Sequence, residues 1–347
     1  MKKVVVGISG GVDSSVAALL LKQQGYEVIG ITFIFTDNFD SNEAVKVCEN
    51  LGIEHHIIDY RKEFKETVIN SFINDYNRGI TPNPCVLCNK EVKINFLYQK
   101  MLEYSCDYMA TGHYAKIIDG KLYKSEDLSK DQTYFLAQLS EEQLSKLILP
   151  LEGITKERVR EIAKENNLIN ADKKDSTDVC FITSIFKDYM DNVVNNVEGS
   201  IIDIATNKVI GRHTGLSKYT IGQRKGLNIG GASDRLFVVG KNMENNILYV
   251  ALGDNNEYLY STSCILSNVN FNCSVRPSEC RAKFRYRSND ILVELNYLDD
   301  DKIEVKYDRT KGVTPGQICV FYIDDMCIGG GVIDTVKKND EKLWYLL

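Results

Sequence analysis

Apolar positions along the chain fall into two regimes. Over the first sixty residues, β-branched runs alternate with segments of helical period. Val4-Val5-Val6 reads as a strand, residues 16–21 as a helix, and 26–35, with Val28, Ile29 and Ile31, as a second strand. Residues 41–51 read as a helix with Ser41 as N-cap, and 53–59 as a third strand. Such alternation predicts βαβ units and a mostly parallel sheet, with ligands at the carboxyl ends of the strands. Helical pattern continues over 61–77 and 89–102, followed by a short strand at 107–111. A hairpin is predicted at 115–125 around Asp119-Gly120, and an amphipathic helix at 155–167 with Thr155 as N-cap and Val159, Ile162 and Ala163 inward. His55 and His56, adjacent on a strand, face opposite ways and read as structural.

Past about residue 195 the period changes. Strand-like runs come at short spacing: 200–204, 236–240, 247–252, 281–287, 291–298, 302–307, 317–323 and 327–335. Turn residues such as Gly253-Asp254-Asn255 and Pro315-Gly316 separate them. The expected organisation is an α/β catalytic domain at 1–194, a small β-rich domain at 195–258 and a β-barrel at 262–347. No internal repeat or low-complexity segment is visible.

Composition narrows the function classes. At 347 residues the chain is too long for one ordinary domain, and its 44% hydrophobic content suffices for real cores. No window has membrane-spanning length, and Met1-Lys2-Lys3 runs straight into a strand, so neither a membrane span nor a cleavable signal is expected. Ten cysteines without a secretory signal point to a reducing cytoplasm. Cys48, Cys106, Cys264, Cys273, Cys319 and Cys327 read as buried small hydrophobes. The net charge of -6 leaves nucleic-acid binding to local basic patches. Two exist. Lys208, Arg212, Lys218, Arg224 and Lys225 form one; Arg281, Lys283, Arg285 and Arg287, interleaved with Phe284 and Tyr286, form the other. Basic residues mixed with aromatics suit phosphate contact plus base stacking.

The first chemical signal is Gly7-Ile8-Ser9-Gly10-Gly11-Val12-Asp13-Ser14-Ser15, between the first strand and the first helix. This layout presents backbone N–H groups and a helix N-terminus to an anion. It is neither a Walker A loop nor a dinucleotide fingerprint, because no Gly-Lys-Ser/Thr follows and the glycines are adjacent. Ser-Gly-Gly-x-Asp-Ser resembles the pyrophosphate loop of the ATP pyrophosphatases, which split ATP into AMP and pyrophosphate.

The second signal is Thr81-Pro82-Asn83-Pro84-Cys85-Val86-Leu87-Cys88-Asn89-Lys90. The prolines stiffen a loop that delivers Cys88 to the start of the following helix, beside Lys90, where a lowered thiol pKa is expected. Cys85-x-x-Cys88 alone admits a redox pair, half a metal site or accident. His113 follows a strand end, where ligands bind in α/β sheets, although a lone histidine is more often structural. Cys180 lies at the end of a polar stretch, and spacing alone does not link it to Cys88.

Together these motifs resemble the tRNA-specific 2-thiouridylases over nearly the whole chain. Carrying the resemblance are the glycine loop, Pro82-Asn83-Pro84 with Cys88-Asn89-Lys90-Glu91, Ala110-Thr111-Gly112-His113-Tyr114, Lys130-Asp131-Gln132 and Ser176 with Cys180-Phe181. Further along are residues 219–226, Arg285-Tyr286-Arg287 and Thr314-Pro315-Gly316-Gln317.

The resemblance implies an adenine-nucleotide alpha hydrolase-like (PP-loop) fold, and replacement by sulfur of the C2 oxygen of a wobble uridine in lysine, glutamate and glutamine tRNAs. It implies ATP contacts at Gly7, Ile8, Ser9, Gly10, Gly11, Val12, Asp13, Ser14, Phe33 and Gly112, with Mg²⁺ accompanying ATP and Asp13 as candidate ligand. Cys88 is then the nucleophile, and Cys180 carries a persulfide received from a sulfur-relay protein or cysteine desulfurase. Asn83, Pro84 and Cys85 face the target base. His113, Lys130, Asp131, Gln132, Arg285, Tyr286 and Gln317 contact tRNA. A cytoplasmic monomer is expected.

Phe33 stands where methionine is often found, and the segment between Phe35 and Asn42 is short. Cys85 replaces a frequent aspartate, so Cys85, Cys88 and Cys180 are also candidate ligands of a 4Fe–4S cluster, as an alternative to the persulfide. Two other function classes are an amide-forming synthetase, which has no use for the two thiols, and a tRNA-binding protein without activity, which has no use for an intact loop.

Overall fold

The computed structural model describes residues 1–174, 179–182, 186–194, 196–227, 229–230, 234–299 and 301–346. Its N-terminal part carries β1 (Lys3–Gly7), β2 (Glu27–Ile34), β3 (Glu54–Asp59), β4 (Tyr108–Ala110), the hairpin β5–β6 (Lys116–Ile118, Lys121–Tyr123) and β7 (Leu147–Ile148). A parallel sheet forms in the order β3-β2-β1-β4-β7. The apolar run of β1 is buried on both faces, as a central parallel strand requires. Helix α1 (Val12–Gln23) packs Val16, Ala17, Ala18 and Leu21 against this sheet.

Next come β8 (Gly199–Asp203), β9 (Lys208–His213), β10 (Leu236–Asn242) and β11 (Ile247–Leu252), in one sheet ordered β10-β11-β8-β9. The C-terminal strands are β12 (Tyr260–Phe271), β13 (Glu279–Lys283), β14 (Ile291–Asp299), β15 (Lys302–Lys311), β16 (Ile318–Ile323) and β17 (Met326–Lys338). These six pair antiparallel in the order β12-β15-β14-β13-β16-β17, and β17 pairs back onto β12 to close a barrel. The α/β fold with a small β-rich domain and a C-terminal barrel is therefore the one expected.

Several elements differ in detail. The helix expected at 89–102 begins five residues earlier, because Asn83 caps it by accepting the Val86 N–H at 3.3 Å and Pro84 occupies its first turn. Helices over 61–77 and 84–103 each contain a π-helical segment, Lys65–Ile69 and Cys88–Lys93. Ser41 sits at the N-cap of Asn42–Leu51 without a side-chain cap bond, whereas Thr155 accepts the Arg158 N–H at 3.3 Å. Asp119 and Gly120 both take positive φ, as a type I′ turn demands. The long strand β12 and strand β9 were not among the expected strands; β9 lies in the first basic cluster.

The cores are shared between sheets. Ile318, Val320, Tyr322 and Cys327 of the barrel pack with Val5, Ile29 and Met109 of the parallel sheet in one buried cluster. A second cluster joins Ile201, Val238 and Leu248 of the central sheet to Leu266, Phe321 and Ile333 of the barrel. Hairpin β5–β6 extends the seam, since β6 pairs with β17 through Tyr123↔Met326 and Leu122↔Cys327. Tyr134 Oη donates to Ile318 O at 2.8 Å, and Gln138 Nε2 to Gly330 O at 2.7 Å.

The C-terminal residues close the arrangement, with the Lys241 N–H donating to Tyr345 O at 2.8 Å. A Cβ on the neighbouring Gly240 would run into that same carbonyl. Gly240→Ala is therefore expected to displace the C-terminal segment and cost about 1–3 kcal/mol, read as a lower midpoint in thermal or urea unfolding.

Candidate active site

The bend after β1 folds as an anion cradle. Gly11 is the N-cap of α1, and Gly10 takes φ +74°. Its hydroxyls are ordered internally. Ser14 Oγ and Ser15 Oγ each donate to Gly11 O at 3.0 Å, and the Gly11 N–H donates to Ser9 Oγ at 3.3 Å. From across the domain, Asn170 Nδ2 donates to Gly10 O at 3.0 Å and to Ser15 Oγ at 2.9 Å. Gly112 lies so close that a Cβ there would sit 2.8 Å from the Asp13 carbonyl carbon and the Ser14 nitrogen. Gly7 to Ser14 and Gly112 thus form one surface at the carboxyl ends of β1 and β4. Phe33 is buried nearby at the end of β2, against Tyr60 and Phe96.

Asp13 is held by two donors: Lys156 Nζ at 2.6 Å and Tyr114 Oη at 2.7 Å, both to Oδ1. A carboxylate neutralised by a buried ammonium is a poor first ligand for Mg²⁺, so the donor set does not fit the role expected of Asp13. Lys156 was not anticipated as a functional residue. Its only sequence signal was its place directly after the Thr155 cap.

The three thiols converge. Cys85 and Cys88 lie on the first turns of the 84–103 helix, and Cys88 packs in one buried cluster with Val92, Phe64, Phe72 and Phe181. Cys180, the neighbour of Phe181, keeps solvent-accessible surface although desolvation raises its thiol pKa. Burial raises the pKa of Cys85, Cys88 and Cys180, and the two helix thiols lie within electrostatic reach of Cys180. An aromatic series runs from the end of β2 to the neighbour of Cys180: Phe33–Phe35 with centroids 5.7 Å apart, Phe35–Phe64 at 5.0 Å and Phe64–Phe181 at 5.8 Å. The Ser176 expected to act with this segment lies outside the described residues.

Electrostatics here corrects the expectation for Cys88. It does not sit at a helix N-terminus but one turn inside, and burial pushes its thiol up to about 12. Lys90 faces Glu91 at 3.7 Å rather than the thiol. The cation that opposes burial is Lys93, which acts on Cys85, Cys88 and Cys180 alike. The π-helical segment explains its position. A turn widened by about one residue rotates Lys93 from the far side of the helix towards Cys85 and Cys88. Lys93 also helps lower His113 to about 3, after desolvation, so the imidazole is neutral. His113 Nδ1 lies 2.7 Å from Thr111 Oγ1. His113, the neighbour of Gly112, is thus within electrostatic reach of the same Lys93 as the three thiols, which links the glycine bend to them.

Among the described residues, no group of three or more His, Cys, Asp or Glu side chains is arranged to hold a metal ion. As they stand, Cys85, Cys88 and Cys180 are not among such groups. All ten cysteines are free thiols. Cys280 joins the buried ones, while Cys106 is half-buried.

The expected tRNA-facing side chains divide. Asp131 is buried, accepting the Ser125 N–H at 3.1 Å and the Thr133 hydroxyl at 2.7 Å. Gln132 Oε1 accepts the Tyr114 N–H at 2.9 Å. Arg285 Nη2 donates to Ile221 O at 3.1 Å and Thr314 Oγ1 at 2.8 Å, tying barrel to central sheet. Gln317 Nε2 donates to Thr81 O and Pro82 O at 2.8 and 3.2 Å. Tyr286 packs on Phe135 with centroids 4.4 Å apart, and Lys130 is half-buried. In the basic clusters Lys218 pairs with Asp191 and Arg281 with Asp290, while Lys208, Arg224 and Lys225 are exposed.

A parallel sheet with a pyrophosphate-loop-like bend, facing two separately encoded thiols and joined to two β domains, defines an α/β protein of nucleotide-binding architecture. Comparison with known proteins agrees. Residues 2–184 match a family model described as a tRNA methyl transferase HUP domain, 187–252 a tRNA methyl transferase PRC-barrel domain and 261–333 an aminomethyltransferase beta-barrel domain. The chain is 47% identical to a protein of Geobacillus thermodenitrificans named tRNA-specific 2-thiouridylase MnmA, over 99% of this chain and 98% of that one. It is 44% identical to a protein of the same name from Mycoplasmopsis synoviae, over 99% of each. The chain belongs to the tRNA-specific 2-thiouridylase family. No helix among the described residues is long and apolar enough to cross a membrane.

Replacing Lys93 by Met removes the cation that opposes desolvation of the thiols. In Lys93→Met the pH midpoint for alkylation of Cys180 by iodoacetamide is expected to move upwards, slowing the reaction at pH 8 by about three- to tenfold.

Proposed function

We propose that this chain is a tRNA-uridine 2-sulfurtransferase that uses ATP to replace the C2 oxygen of a wobble uridine by sulfur. What supports the reading is that Cys88 and Cys180, distant in sequence, act on one another electrostatically and share Lys93 with His113, the neighbour of Gly112.

ATP bound along Gly7 to Ser14, Phe33 and Gly112 transfers its adenylyl group to O2 of the uridine, and pyrophosphate leaves. The oxygen becomes a good leaving group as part of AMP. Cys180 carries a persulfide supplied by a sulfur-relay protein or cysteine desulfurase. Its terminal sulfur attacks C2, and AMP departs with the oxygen. The Cys88 thiolate then attacks the Cys180 sulfur, breaking the S–S bond and leaving sulfur on C2. The pair ends as a Cys88–Cys180 disulfide, and an external dithiol must supply two electrons to reset it.

The high pKa of Cys88 suits this order, since a buried thiol stays protonated and unreactive until substrate is in place. The solvent-accessible Cys180 is suited to receive sulfur from another protein. Asn83, Pro84 and Cys85 sit at the target base. His113, Lys130, Asp131, Gln132, Arg285, Tyr286 and Gln317 serve tRNA recognition, in part by fixing the surfaces that meet the RNA. No step is routed through a metal cluster.

Cys88→Ala and Cys180→Ala are each expected to lose 2-thiouridine formation by on the order of a thousandfold or more, with tRNA, ATP and a persulfide donor present. Mass spectrometry of digested tRNA reads the outcome. Full thiolation by either variant would overturn the mechanism.

A further inference from the structure

The loop leading into the Cys85–Cys88 helix cannot satisfy its own backbone. Pro82 and Pro84 have no N–H, and the run from Gly79 (φ +80°) to the Asn83 cap belongs to no strand or helix. Buried carbonyls on such a segment need donors from elsewhere. Two β-domain side chains supply them. Gln317 of the barrel takes the Thr81 and Pro82 carbonyls, and Lys241 of the central sheet donates from Nζ to Gly79 O at 2.8 Å.

Lys241 is the unexpected member. Only 1% of its surface is exposed, and among the described residues it has no ion-pair partner. Burial alone lowers its pKa to about 7, and it keeps N–H donors whether charged or neutral. Its own backbone is fixed by Tyr345 O. An unpaired lysine amine in an interior is costly, and Met or Leu would fill the same space without that cost.

We propose that Lys241 is a positioning residue for the thiolation reaction, its ammonium pinning the Gly79 carbonyl and so fixing the loop and cap that place Cys85 and Cys88. Lys241 touches neither thiol nor nucleotide. It acts through five residues of chain, from Gly79 to Asn83. The inference rests on the proposed sulfurtransferase activity for its kinetic readout, but not for its structural one.

Lys241→Met and Lys241→Gln test it in the full-length protein. Lys241→Met is expected to fold and to unfold close to the wild-type temperature, since loss of a buried amine without an ion-pair partner offsets the Gly79 carbonyl left without its donor. Its kcat should fall about ten- to a hundredfold while KM for tRNA stays within about twofold, as misplacement of reacting groups predicts. Lys241→Gln, which keeps an N–H donor, should retain more of the rate. Amide hydrogen exchange over residues 79–88 should be faster in Lys241→Met than in wild type. A folded Lys241→Met with wild-type kcat and exchange overturns the proposal, as does failure of both variants to fold. Wild-type protein that does not thiolate tRNA would defeat the functional reading alone, and the exchange comparison would still decide whether Lys241 holds the loop.

Discussion

The constraint on which the molecule turns is the hydrogen-bonding deficit of residues 79–83. Pro82 within it and Pro84 just after it remove N–H donors and forbid an early helix, so the chain arrives extended at the Asn83 cap. An extended, partly buried segment must borrow donors. Here one comes from the central sheet and one from the barrel. The barrel turn is fitted to the task, because any Cβ at Gly316 would collide with Ile80. The 84–103 helix is thus registered against both β domains at once, and the three parts share cores rather than merely touching.

Downstream of that cap, the π-helical segment decides the electrostatics. In a regular α-helix Lys93 would stand about 140° round the axis from Cys88. The widened turn brings it onto the thiol side, where it acts on three cysteines and His113 together. Desolvation still dominates for Cys88, so the resting site holds a thiol rather than a thiolate. The glycine bend has a similar economy. Its hydroxyls and Asp13 are tied into internal bonds, which keeps the cradle formed before a nucleotide arrives.

The polar residues expected to meet RNA show a second role for such groups. Asp131 and Gln132 fix the turn that carries the Thr133–Leu136 helix against the barrel, and Arg285 bolts the barrel to the central sheet. A surface that must fit a large, rigid partner needs its own parts held in fixed relation. Buried, fully bonded polar groups supply that rigidity where apolar packing would allow sliding.

The sequence by itself determined whatever depends on local period and local turn chemistry. Alternating runs fixed the parallel sheet, short strands marked the β domains, Asp119-Gly120 set its hairpin, Thr155 set its helix start, and Ser-Gly-Gly-x-Asp-Ser marked the anion bend. Only the tertiary structure decided what depends on distance in space. Cys180 comes within electrostatic reach of Cys88 because its neighbour Phe181 packs in the same buried cluster as Cys88. Lys93 replaces Lys90 because a π turn, which leaves no clear mark on hydrophobic period, shifts the helix face by one residue. Lys241 looks like one more solvated lysine in a strand until the Gly79 carbonyl is placed against it. Burial sets the charge state of each of these groups, and burial is a property of neighbours that lie far away along the chain.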